Sequence, residues 1–145
     1  MLPVMEAVDQ GEMKRAIITG DAATVRRLAP TWPDLDVPDH TTRMTPLVMA
    51  LDNGRHEILD VLIAAGSDVN LVLAGGWTPL HDAVDSESQS ELQAGIPASL
   101  RPLRSLLAAG ADPRAKATML GGGLKTPRDI ALDYGWAEAV DLLTI

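Results

Sequence analysis

Thr78-Pro79-Leu80-His81-Asp82-Ala83 repeats, with changes, Thr45-Pro46-Leu47-Val48-Met49-Ala50, which stands 33 residues earlier. The Thr, Pro and Ala of this pattern return as Thr126, Pro127 and Ala131, 48 residues after the second copy. The additional 15 residues fall between Asp85 and Arg101 and in the Gly-rich stretch before Thr126. A recurrence of this length is the signature of stacked supersecondary units, and it sets the register in which every other residue is read.

Each copy begins a helix. The Thr side chain offers an oxygen to the orphan amides of the first turn, and Pro brings a torsion already suited to it. Gly54 and Gly135, each nine residues after its Thr, end that helix and let the chain reverse. A second helix then spans about Glu57 to Ala65, Gly66 stops it, and an extended finger leads to the next Thr. In this alignment Ala16, Ala50, Ala83 and Ala131 share a column where helices approach closely. Val25, Leu59, Leu103 and Val140 form a second column, and Leu28, Leu62, Leu106 and Leu143 a third. A degenerate first unit therefore starts near Gly11 and reverses at Gly20. No unit buries its apolar face alone, so at least three must stack.

On these residues the chain resembles the ankyrin repeat family. The likeness is carried by Thr78, Pro79, Leu80, His81 and Ala83, by Gly54, His56, Glu57 and Ile58, and by Gly66-Ser67-Asp68-Val69-Asn70, echoed in Gly110-Ala111-Asp112-Pro113. It extends from about residue 11 to 145. Val48 and Asp129 stand where the family has His, and Arg128 where it has Leu; in a last repeat Arg128 suits an end cap facing water. The resemblance implies an all-α solenoid of helix-turn-helix units with extended fingers, about four repeats including caps. It gives one domain over 1–145: a capping unit 1–44, a repeat 45–77, a repeat 78–125 with an insert at 86–100, and a capping unit 126–145.

Composition narrows the function. The chain has 145 residues, 46% of them hydrophobic, with one Tyr, three Trp and no Phe, which fits an aliphatic helical stack. Without Cys there is no disulfide framework, no thiol chemistry and no Cys-based zinc site. Residues 1–9 carry no Lys or Arg and no long apolar run, unlike a secretory signal, and no stretch approaches the roughly 18 apolar residues of a membrane span. These features predict a soluble, cytoplasmic protein. A net charge of −8 disfavours nucleic acid and suits a partner with a basic surface.

No constellation supports catalysis, a cofactor or a metal. His81 and His56 fall at structural positions of the repeat, and His40 lies in a finger as a solvated residue. Asp34, Asp36 and Asp39 lack the Gly and terminal Glu of a calcium loop. Gly121-Gly122-Gly123, followed by Lys125 and Thr126, lacks the spacing and preceding strand of a phosphate loop.

The resemblance implies that partners meet the fingers and the exposed positions of the first helices, which together form a concave face. Four residues after each Thr stand Met49, Asp82 and Ile130; seven after stand Asp52, Asp85 and Asp133, with Tyr134 beside the last and Ile18 as the first unit's counterpart. The Asp row reads either as a groove for basic groups or as solvated surface. The fingers carry Leu71-Val72-Leu73-Ala74-Gly75-Gly76-Trp77, then Met119, Leu120 and Leu124. Exposed, they mark an interaction site; folded over one another, they are hidden. Ser86–Leu100, with Gly95 and Pro97, reads as a mobile loop insert, either on the binding side or a neutral elongation.

The expected function is protein binding through the concave face and fingers. Small stand-alone members of the family include bacterial immunity proteins, which extends the expectation to inhibition of a cognate basic enzyme. The alternative is a self-associating structural or scaffold protein, pairing weakly through the fingers or through Leu142, Leu143 and Ile145.

Overall fold

Every Thr-Pro pair starts a helix, as its chemistry dictates. In the computed structural model, which describes the backbone of residues 2–144 and the side chains of residues 11–144, Thr45, Thr78 and Thr126 each accept a hydrogen bond from the amide three residues on. Among the described residues the helices are α1 (Leu2–Thr19), α2 (Ala22–Leu28), α3 (Pro46–Asp52), α4 (His56–Ala64), α5 (Pro79–Ala94), α6 (Arg101–Ala108), α7 (Pro127–Tyr134) and α8 (Ala137–Leu143). The extended structure is one short antiparallel hairpin, β1 (Ala117–Thr118) with β2 (Leu124–Lys125), in which Ala117 faces Lys125 and Thr118 faces Leu124.

The chain falls into two compact units, Met1–Asp68 and Val69–Ile145. In the first, α1 packs on α2 and α3, and α4 packs on α2 and α3. Asp21 caps α2 through the Thr24 amide. In the second, α5 packs on α6 and α7, α7 packs on α8, and β1 lies against the Ala74–Gly76 turn of the preceding finger. The columns read from the sequence form the cores: Ala16, Ala50, Ala83 and Ala131 are buried, as are Val25, Leu59 and Leu103 and all four Leu of the third column. Val140 departs from its column and is only half-buried.

The acidic residues of the first finger are turn-formers. Asp34 accepts from the Asp36 amide at 2.9 Å, and Asp36 in turn accepts from the Asp68 amide at 2.9 Å. Asp39 gathers the Thr41 and Thr42 amides at 3.0 and 2.9 Å, and these bonds, the Thr42 amide foremost, hold its carboxyl below the ordinary value. In the second unit Asn70 plays the part of Asp36. It accepts from the Asp112 amide at 2.8 Å and donates to the Gly110 carbonyl at 2.9 Å, joining the starts of two fingers.

The helix that carries Gly11 is longer than the repeat register requires: α1 starts at Leu2, and Gly11 lies inside it. One expectation is corrected. The insert is not a loop throughout, because Ser86–Ala94 continues α5 and only the stretch from Gly95 to Leu100 leaves the helix. Glu91, Leu92, Gln93 and Ala94 are good helix formers, so local propensity carries the helix on until Gly95 ends it in the left-handed conformation at φ 69°.

Candidate functional site

The second unit's fingers are built outward from His81. Its ring is fully buried; Nδ1 accepts from the Thr78 amide at 3.2 Å and lies 2.7 Å from the Thr78 hydroxyl, while Nε2 lies 2.9 Å from the Lys125 carbonyl. Since a carbonyl only accepts, Nε2 carries the proton and the ring is neutral. Burial pushes its pKa below the ordinary value of 6.5, against the smaller opposing effect of the Lys125 carbonyl. One side chain thus caps α5 and fastens β2. At the next repeat Asp129 performs the capping half: it accepts from the Thr126 amide at 2.9 Å and is held below its usual pKa chiefly by that bond. Val48 has no acceptor to offer Thr45, so only the Thr side of that cap is made.

The finger and the hairpin lie against each other at Gly76. Its φ is +80°, and a Cβ there would meet the Lys116 carbonyl oxygen at 2.8 Å, so only Gly lets the two backbones approach. Both expected arrangements are realised in part. Leu71, Leu73, Trp77 and Met119 are half-buried, whereas Val72, Leu120 and Leu124 are 64%, 104% and 62% exposed. Trp77 stacks at a tilt on His81, ring centroids 5.2 Å apart, and donates its indole N–H to Asp82 at 3.1 Å. It supports the finger's base rather than its tip.

The positions four residues after each Thr are corrected outright. Met49, Asp82 and Ile130 are buried, with Asp82 bonded to both Trp77 and Ser86, so none is available as drawn from the resemblance. At the following offset Asp52 is exposed in the first unit. In the second unit Asp133 is exposed and pairs with Lys125. Asp85 is half-buried and accepts the Tyr134 hydroxyl at 2.6 Å, which itself accepts from Gln89 at 2.7 Å. Burial first, and then the bond to Asp85, raise the Tyr134 phenol above its usual 10. The Asp residues of the second unit are therefore engaged with their own chain.

A cleft of about 640 Å³ lies in the same unit, between the end of α5 with the loop after it and the α7–α8 turn. Leu92, Pro97, Tyr134 and Trp136 supply its apolar wall, and Glu91 and Glu138 its carboxylates. The sequence reading names Tyr134 but misses the rest, because Trp136 and Glu91 meet only once the insert folds as helix. Among the described residues no group of His, Asp and Glu could hold a metal ion, and no helix is long and apolar enough to cross a membrane.

With this architecture in place, a comparison with protein families is decisive: a model of ankyrin repeats in three copies matches residues 13–94, more than half of the chain. The chain belongs to the ankyrin-repeat family. Its fold class is accordingly the all-α ankyrin solenoid class, with strand confined, among the described residues, to the hairpin. Ankyrin repeats are generally protein–protein interaction modules and typically non-enzymatic. The match ends at residue 94, where the lengthened α5 of this ankyrin protein also ends.

Proposed function

We propose that this ankyrin-repeat protein binds another protein through the finger and hairpin of its second unit, and that charge steers a basic partner toward it. One observation carries the reading: Val72, Leu120 and Leu124 stand exposed on a finger and hairpin whose backbones are tied down by His81, Gly76 and Asn70. An apolar tip that is already ordered loses little entropy when a partner covers it. Leu71, Leu73, Trp77 and Met119 support the tip from beneath. Exposed Asp52 and Asp133 belong to the surface charge of a chain at −8, which accelerates encounter more than it tightens the complex.

The finer reading is inhibition, as by a cognate immunity protein: a bound finger occludes the basic face of its target. The cytoplasm is the proposed compartment, since a chain without Cys makes no use of an oxidising one. The test is affinity capture from the source cells with the parent chain, with Val72→Ser/Leu120→Ser/Leu124→Ser, and with Ile18→Ser as a control on the first unit. A partner retained by the control and lost by the triple variant, with helicity unchanged, supports the proposal. Equal capture by all three contradicts it. Light scattering addresses the alternative: a dimer abolished by the triple variant would assign the tips to self-association.

A further inference from the structure

The cleft at the end of α5 has a chemistry distinct from the fingers. Trp136 and Tyr134 are half-buried in its wall, and Leu92, 71% exposed, stands at its edge. The Tyr134 hydroxyl is already engaged by Asp85 and Gln89, so its ring, not its O–H, is what the cleft offers. Glu91 and Glu138 are exposed carboxylates, and no Lys or Arg lines the cleft to neutralise them. The floor is built in advance. The nearly buried Glu87 accepts from the Ser99 amide at 2.8 Å and folds the post-helical loop back onto α5, while Gly95 fixes the turn.

We infer that this cleft receives an arginine side chain carried by an extended segment of a partner protein. A cavity of about 640 Å³ lies within the range of ligand sites and holds such a side chain with part of its neighbours. Aromatic faces attract a planar guanidinium, which is weakly hydrated and stacks, and its forked donors match carboxylates; a lysine ammonium is a compact, strongly hydrated point charge that does neither as well. A neutral side chain of the same shape leaves both carboxylates unanswered. The site is separate from the finger tips, so this inference and the proposed function stand or fall independently.

The experiment is a titration of the isotopically labelled full chain with N-acetyl-arginine methylamide, followed by NMR, with the citrulline and lysine analogues as comparators. Citrulline keeps the shape of arginine and removes its charge. The arginine probe is expected to shift the Trp136 indole N–H and the Gly135 amide saturably, the lysine probe more weakly, and the citrulline probe not at all. In Glu91→Gln/Glu138→Gln, which preserves the shape of both side chains, affinity for the arginine probe is expected to fall about fivefold or more. Any of three results overturns the inference: no saturable shift up to about 50 mM probe, citrulline binding as well as arginine, or the double variant binding like the parent.

Discussion

At residue scale the account rests on which side chains complete a helix cap. His81 is neutral and buried, with both ring nitrogens engaged, so protonating it removes the acceptor that Thr78 uses. Its folded pKa lies below the unfolded value of 6.5, so the unfolded chain binds the proton more readily. The stability it contributes is therefore complete above about pH 6.5 and is lost as the pH falls from there through the folded value. Thermal melts across pH 7.5 to 5 are expected to show this decline, and His81→Ala is expected to flatten it. That variant should also cost about 1–3 kcal/mol by leaving buried polar groups unpaired. Gly76→Ala is expected to destabilise by about 1–2 kcal/mol from the left-handed backbone alone, with more from the Lys116 carbonyl. Calorimetry measures both. The capping residues were legible in the sequence because their chemistry is local. The burial of Met49, Asp82 and Ile130 was not, because the offset from Thr places a residue on a helix and does not say what covers it.

The insert shows the difference at the scale of the element. Ser86-Glu87-Ser88-Gln89-Ser90-Glu91 has the polar composition of a loop, yet it continues a helix already nucleated by Thr78 and Pro79, and continuation costs far less than nucleation. Tertiary bonds then fix it: Gln89 to Tyr134, and Glu87 to the Ser99 amide. Hydrogen exchange on the free chain is expected to find the amides of residues 86–93 protected and those of the Gly121–Gly123 turn rapidly exchanging. Uniform fast exchange over 86–93 would restore the loop reading. Glu87→Ala is expected to lower stability by about 1–3 kcal/mol, since it strands the Ser99 amide. The same coupling explains why the cleft escaped the sequence reading. Its walls belong to segments 34 or more residues apart, and nothing local announces that Glu91 and Trp136 share a cavity.

For the molecule as a whole, period, column and cap agreed on one fold, and the family match over residues 13–94 agrees with it. Circular dichroism is expected to be mainly helical, with little sheet beyond the hairpin. The charge of −8 likewise followed from counting, but its use did not: Asp133 is paired with Lys125, and Asp85 with Tyr134. A row of carboxylates in an alignment is not yet a groove. The proposed partner surface therefore rests on the exposed Val72, Leu120 and Leu124. The most direct test is the hydrogen-exchange footprint of the captured partner on the full chain. Protection concentrated on residues 71–77 and 117–125 is the expected result; protection confined to the first unit, with those loops unchanged, would contradict the account.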